Sequence, residues 1–504
     1  MVRVPVSGAE AGRRPLAWLA LLALGACAVV LVSGSGAALM YTDAYAKLRS
    51  LGLGLQNFRP IHTTFAFAWV FLGGVAVVHH YLGRTFGPPG RAVRRRMAWQ
   101  TALWAGAGAG ILATLLAGRF TGREYMGYDP LLALPILAGW ILFAWNFFGQ
   151  RGVSLRGQPV YVYMWSVAIP LFVITYLEGN LYLLDLVSAR PVRDLAIQWK
   201  STGTIVGAFN LLAYGSLMYV SGCIRGDDEY AYSRTAFALF VVGLLNTFTN
   251  YGHHTYHLPQ TAWIHWISFA VSMLETIILA KVFVDLVPTL RAVPARDDLR
   301  VPDLFLKSGA VWTFLLMILA IGISVPPLNA LIHGTHVVVA HSMGSMIGID
   351  SMILWAALSY MLGDVAGREH RTVRGARVRA AVPWVSVFLL VFLLSYLARG
   401  AAAGWVRYVG PSAPDFSPLF KMFPIVMVAS GVGLTLTVLW FLLQWIFAFG
   451  AVALGGARPA APVPQPARTG TPASPPPGEA PAHPAPRTPP ADRYPDPVAR
   501  RSRR

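Results

Sequence analysis

The sequence predicts an all-α integral membrane protein, a bundle of twelve transmembrane helices. Three observations lead there. First, 55% of the 504 residues are hydrophobic and only 12% are charged, and mean hydropathy is +0.53; an average soluble domain carries about 25% charged residues. Second, the apolar residues gather in runs of roughly 20 or more, the helical length that crosses about 30 Å of hydrocarbon. Third, Arg and Lys collect in alternate loops between these runs, the bias that orients multi-span proteins. The net charge of +19 therefore reports topology and not nucleic-acid binding. With 16 Trp, 26 Phe and 19 Tyr, most of the chain has too much to bury for disorder, and two cysteines, Cys27 and Cys223, cannot build a disulfide framework or a Cys-rich metal site.

In chain order the expected spans are 15–40, 60–83, 98–117, 131–149, 160–185, 198–222, 234–252, 261–287, 308–330, 332–362, 380–402 and 422–455. The first follows Arg13 and Arg14 like a signal peptide, but it is long, lacks a clear cleavage site and precedes further spans, so it reads as a retained helix. One set of loops holds Arg91 and Arg94 to Arg96, Arg151 and Arg156, Arg225 and Arg234, Arg291 to Arg300, and Arg368 to Arg379. The opposite connections near His257–Gln260 and Pro326–Asn329 hold no Lys or Arg. Basic loops face the cytoplasm, and an even number of spans places both termini there, in a bacterial cytoplasmic membrane surrounded by lipid. The domain of residues 1–456 gives way at 457–504 to a segment with fifteen prolines, Ala, Arg and Thr. Such a composition cannot form a core and predicts an extended, disordered cytoplasmic tail.

Ionisable side chains inside spans are costly and mark function. His62 opens the second span, His253 and His254 close the seventh, and His333, His336 and His341 open the tenth. The topology puts all six near the periplasmic side, where imidazoles from three helices at one depth can assemble a metal or heme site. His79 and His80, at the cytoplasmic end of the second span, read as interfacial residues; His265, His370 and His483 carry no signal.

The segments Arg59-Pro-Ile-His62-Thr-Thr, Tyr251-Gly-His253-His254 and His333-Gly-Thr-His336-(x4)-His341 resemble, in order and spacing from residue 15 to about 455, the heme–copper oxidase superfamily subunit I. The nitric oxide reductase large subunit is the nearest branch, and the C-family oxidases are a second likeness. The resemblance implies the twelve-helix fold of that subunit, two hemes of the b type and one non-heme metal, iron in the reductases and copper in the oxidases. It assigns His62 as an axial ligand of the low-spin heme, His341 as the proximal ligand of the high-spin heme, His253 and His254 as ligands of the non-heme metal, and His333 and His336 to the heme-propionate region. Glu275 matches a glutamate that the reductases place near the catalytic pocket; its alternative is a packing carboxylate paired with Lys281 or a Thr.

The sequence departs from relatives in three places. They carry His-x-His in the tenth span, whereas here the text is Ala340-His341-Ser342-Met343; a thioether ligates heme well, so a His62/Met343 low-spin heme is expected. They carry a third histidine for the non-heme metal in the sixth span, where this chain has Gly203, and the reductase glutamate one turn later falls at Gly207. Asn210 is the nearest polar residue on that face and is expected to complete the shell, directly or through water, unless it bonds within the bundle. The C-family tyrosine position is His257, with Tyr256 one residue early. One residue turns a helical side chain by about 100°, which leaves Tyr256 a poor oxidase tyrosine unless the helix has ended.

These features predict a respiratory oxidoreductase in which two NO molecules yield nitrous oxide and water. Three alternatives stand beside it: an O2-reducing terminal oxidase, a nitric oxide dismutase-like enzyme, and a non-catalytic heme protein for electron transfer or gas sensing. No CxxCH motif or copper-binding loop occurs, so electrons are expected from a partner subunit carrying cytochrome c or a copper domain, or from quinol.

Overall fold

Helices long enough to cross a bilayer account for nearly the whole structured chain. The computed structural model describes residues 6–256, 258–291, 294, 296–367 and 375–455. The expected tail at 457–504, together with His257, His370 and His483, lies outside the described residues. Among the described residues, twelve helices of sixteen residues or more follow one another: α1 (Val6–Leu39), α2 (Leu55–Phe86), α3 (Arg91–Leu116), α4 (Ala133–Arg151), α5 (Val160–Gly179), α6 (Pro191–Arg225), α7 (Arg234–Thr249), α8 (Ala262–Arg291), α9 (Arg300–Ser324), α10 (His336–Val365), α11 (Gly375–Val409) and α12 (Ser417–Ala453). Each overlaps one expected span. Ten of them contain segments long and apolar enough to cross a membrane. The others are α3, whose first turns carry Arg91 and Arg94 to Arg96, and the sixteen-residue α7.

Neighbours in sequence pack as neighbours in space, and α12 packs on α1. Inside this arrangement α2, α6 and α10 touch one another. Their composition explains the closeness, because helices surrounded by lipid associate through small residues that let backbones approach. A Cβ on Gly73 of α2 would stand 2.9 Å from Leu354 of α10, and one on the adjacent Gly74 would stand 3.0 Å from Cβ of Leu212 on α6. Two consecutive glycines thus let α2 serve both partners. Burial follows: 72% of the most apolar window of α2 and 78% of that of α6 are buried, against 11% for α8. The outer helices turn Ile141, Trp145, Ile277, Val284, Ile425 and Phe447 outward, as helices that are apolar all round do when lipid is the solvent.

Helix α10 is not uniform. It is α-helical over His336–Gly344, π-helical over Ser345–Ser351, and α-helical again over Met352–Val365. Single π turns inside α-helices concentrate at functional sites, and this one follows directly on His341 and Met343.

His79 and His80, expected as interfacial residues, are buried between helices. Each is only 5% exposed. His79 Nε2 lies 3.2 Å from Gln100 Oε1, while His80 bridges Asp364 at 3.2 Å and the Tyr219 hydroxyl at 3.1 Å. Partners on other helices provide the polar surroundings that position in an apolar run did not reveal.

Candidate functional site

His62 sits in the second turn of α2, facing α1. Its Nδ1 is 2.9 Å from the carbonyl oxygen of Val30. A carbonyl can only accept, so Nδ1 carries the proton and Nε2 keeps its lone pair, the arrangement in which a metal-binding imidazole is held by its far nitrogen. Gly34 makes room for the ring, since a Cβ there would lie 2.9 Å from Nδ1 and Cε1.

The chain leaves α7 through one further helical turn, Tyr251–His254. His253 and His254 end that turn with their Nε2 atoms 3.2 Å apart. Two imidazole nitrogens facing each other this closely are suited to a shared cation. His254 stacks on Trp199 of α6, centroids 5.7 Å apart and planes at 5°. His341 of α10 is in electrostatic range of both histidines, and its buried Nδ1 has no hydrogen-bond partner. Two elements remote in sequence, the turn after α7 and α10, therefore bring imidazoles together.

Helix α8 fixes the tautomer of His253. The Ser272 hydroxyl donates to Asn246 Oδ1 at 3.1 Å and stands 3.3 Å from His253 Nδ1. An oxygen already donating must accept from that ring, so Nδ1 is protonated and Nε2 is free to ligate. Ser268, one turn earlier, accepts from the His253 amide at 3.0 Å and lies 3.4 Å from the same Nδ1. Asn246 in turn donates to Glu275 through its Nδ2. Glu275 is thus joined through an amide and a hydroxyl to His253, whereas Lys281 pairs with Asp285 at 2.9 Å. Lys281 is therefore not the partner of Glu275, whose hydrogen bond comes from Asn246 across the helix interface.

A cavity of about 30 Å³ lies beside Glu275, lined by Asn210, Tyr214, Asn246, Thr247 and Asn250 among apolar Met164, Leu211, Leu239 and Phe240. By volume it admits about two waters. Asn210 belongs to this cavity, on the Glu275 side. The space beside Gly203, where relatives carry their histidine, is filled instead by Asn250 from the end of α7. Asn250 Nδ2 donates to the Gly203 carbonyl at 3.1 Å, and its side chain occupies the place a Cβ would take. Thr247 fills the matching space at Gly207. Among the described residues no set of three His, Cys, Asp or Glu side chains can hold a metal, so a cation on His253 and His254 would draw its remaining ligands from amide oxygen or water.

Met343, in the last turn before the π segment, is partly buried against the core. His336 is enclosed by Tyr41, Tyr396 and Phe423, with its Nε2 3.5 Å from the Tyr41 hydroxyl. The His333 carbonyl accepts from Arg407 at 3.0 Å. Arg399 lies over the rings of Phe420 and Phe423, 5.1 and 4.9 Å from their centroids, and its buried Nε has no partner. Two guanidinium groups beside His333 and His336 suit the paired carboxylates of a porphyrin. Tyr256 is not helical: the turn has ended at His254. Its hydroxyl donates to the Ser324 carbonyl at 2.8 Å, and burial raises its pKa to about 12. It does not line the cavity.

Sequence reasoning passed over Asn246, Asn250, Ser268 and Ser272. Their signal was helical spacing. Asn246 and Asn250 precede His253 and His254 at one-turn intervals, and Ser268, Ser272 and Glu275 share one face of α8.

The family described as Cytochrome C and Quinol oxidase polypeptide I matches residues 17–435. A solved structure described as a heme-copper terminal oxidase dimer shares the fold with a TM-score of 0.64, covering 88% of this chain and 85% of that one at 14% identity. No curated protein matches the sequence.

Proposed function

Because the chain belongs to the cytochrome c and quinol oxidase polypeptide I family, the catalytic subunits of heme–copper oxidases, and is therefore a respiratory membrane oxidoreductase, we propose that its substrate is nitric oxide. The reaction is 2 NO + 2 H⁺ + 2 e⁻ → N₂O + H₂O. The carrying observation is the hydrogen-bonded line Glu275–Asn246–Ser272–His253, set beside an imidazole pair, with the Tyr256 hydroxyl engaged elsewhere. A hydroxyl bonded to Ser324 is not offered to the pocket, and Tyr214, which lines the cavity beside Glu275, stands fifteen residues along α6 from the Trp199 that stacks on His254, about 22 Å of helix. Reduction of O2 calls for a hydrogen-atom donor at the reacting atoms; joining two NO molecules calls only for protons and electrons.

When bound, two b hemes and one non-heme metal, iron in this reading, supply electron transfer and a binding place for a neutral gas. The protein's residues do the rest. His62 and Met343 hold the low-spin heme and His341 the high-spin heme, while Arg399 and Arg407 hold propionates near His333 and His336. Ser272 and Ser268 lock the His253 ring so that its Nε2 faces that of His254, and Asn250 or Asn210 offers amide oxygen or water beside them. Glu275 holds and releases protons at the cavity it lines, and Asn246 and Ser272 fix its place relative to His253. Met164, Leu211, Leu239 and Phe240 keep the approach apolar, as a neutral gas requires. The protein lies in a bacterial cytoplasmic membrane with both termini inside, and its electrons come from a cytochrome c or copper-bearing partner or from quinol.

The test is anaerobic NO supplied to the purified protein with a chemical reductant, followed by gas chromatography. Stoichiometric nitrous oxide supports the proposal. No nitrous oxide from NO, with O2 consumed in a parallel aerobic assay, overturns it in favour of an oxidase, and O2 release from NO under anoxia overturns it in favour of dismutation.

A further inference from the structure

Helix α10 carries His341 and Met343 ahead of its π turn and a densely packed segment after it. Every residue from Met352 to Gly363 is buried, whereas over His336–Gly344 the buried residues are Val337, Ala340 and Gly344. Packing thus fixes the later half, and the rotation of His341 and Met343 about the helix axis depends on the turn that joins the two halves. A π turn bonds residue i to i+5, where an α turn bonds i to i+4. Relaxing it to α geometry shifts the preceding segment by one residue, about 100° about the axis. His341 and Met343 are two residues apart and face opposite sides of the helix, so neither keeps its direction through such a rotation.

The turn has its own support. The Ser351 hydroxyl donates to the Met346 carbonyl, five residues back, at 2.7 Å, which is the π spacing. The same oxygen accepts from Trp69 Nε1 of α2 at 2.9 Å. An indole N–H can only donate and a carbonyl can only accept, so the hydroxyl serves as acceptor and donor at once. Trp69 and Ser351 are both buried, where such bonds meet little competition. Helix α9 also closes on the turn, since a Cβ on Gly348 would stand 2.9 Å from Trp312 Cβ. The register of the ligands matches this contact. Trp69 lies seven residues beyond His62 on α2, and Ser351 eight beyond Met343 on α10. As the second and tenth spans, the two helices run in the same direction, so both side chains stand about 10–12 Å from the shared contact on the same side of it. Seven residues also bring His62 and Trp69 to nearly one face of α2.

We propose that Trp69 and Ser351 are positioning residues for heme ligation: their hydrogen bond holds the π turn and so keys Met343 of α10 to His62 of α2. His341 takes its direction from the same turn. No proton or electron moves in this role, which is complete before any substrate arrives. The proposal rests on the reading of His62, Met343 and His341 as heme ligands.

The experiment uses the purified full-length protein with its hemes. It reads the near-infrared spectrum of the ferric protein and the midpoint potential of the low-spin heme, neither of which depends on turnover. The parent is expected to show the thioether-to-iron charge-transfer band of His/Met ligation. Ser351→Ala should lose most of that band and lower the potential, because thioether ligation raises it. Trp69→Phe keeps the ring and removes the N–H, and should shift both readings the same way to a smaller extent, since the Ser351–Met346 bond survives. Ser351→Thr keeps the hydroxyl and should keep both readings. As a control, Ser359→Ala removes another buried hydroxyl of α10, one bonded to the Ala356 carbonyl, and should leave both readings at parent values. A band retained at full strength in Ser351→Ala and Trp69→Phe overturns the proposal alone. A parent without the band overturns the ligand reading, and the proposal with it. If Ser351→Ala fails to fold, Trp69→Phe decides.

Discussion

Among the described residues the Ser272 hydroxyl joins Asn246, the partner of Glu275, to the metal-facing imidazole of His253, and its removal is the most informative perturbation. Ser272→Ala deletes the oxygen 3.3 Å from His253 Nδ1 and leaves Asn246 Oδ1 without its 3.1 Å donor. Outer partners that orient a metal-bound histidine are worth about 10–100-fold in metal affinity, or about 1.4–2.7 kcal/mol. Two features of the structure place the single variant at the low end. The contact is long for a hydrogen bond, and Ser268 stands at 3.4 Å from the same nitrogen as a second acceptor. The expected loss is therefore about tenfold for Ser272→Ala and about 100-fold for the Ser268→Ala, Ser272→Ala pair. The assay is competition with a graded chelator, reading non-heme metal retained per chain beside the heme absorbance, which should not change. A double variant that keeps its metal as tightly as the parent, with heme spectra intact, refutes the orientation of His253 argued above.

Gly34→Val should displace the His62 ring, because even a Cβ comes within 2.9 Å of it; low-spin heme absorbance falls while the high-spin signal persists. Met343→His should preserve a low-spin heme and lower its midpoint potential, since His/Met ligation lies above His/His; an unchanged potential in spectroelectrochemical titration shows that Met343 is not a ligand. Tyr256→Phe should leave turnover within about twofold and lower stability by about 1 kcal/mol through the lost bond to Ser324, measured by thermal unfolding; loss of turnover would falsify its exclusion from the pocket. With a pKa near 12, Tyr256 also stays neutral in both directions from pH 6 to pH 10, so the activity profile of the parent over that window should not change in Tyr256→Phe.

The twelve apolar runs were legible because hydrocarbon thickness is a fixed ruler, and each found its helix. Their ends were not. Helix α1 begins at Val6, ahead of Arg13 and Arg14, and α2 runs from Leu55 to Phe86, because a helix continues past the hydrocarbon wherever its backbone bonds allow. The histidines were legible as residue types at a shared depth, which is why His253, His254 and His341 were named before any packing was known. What pins them was not: His80 depends on Asp364, 284 positions away, and on Tyr219, 139 positions away. The gap at Gly203 was visible, yet its filler was sought further along the same helix at Asn210. The structure supplies Asn250 from α7, because a glycine on one helix admits a side chain from the next, and that pairing exists only once the two are packed.

The account's central claim is that imidazoles from α2, the turn after α7, and α10 hold two hemes and one neighbouring cation. Heme extraction with pyridine, combined with elemental analysis of the purified chain, tests it most directly. The expected result is two b hemes and one further metal ion per polypeptide, the ion lost in His253→Ala and the high-spin heme lost in His341→Ala. A colourless protein, or two hemes with no additional metal in the parent, contradicts it.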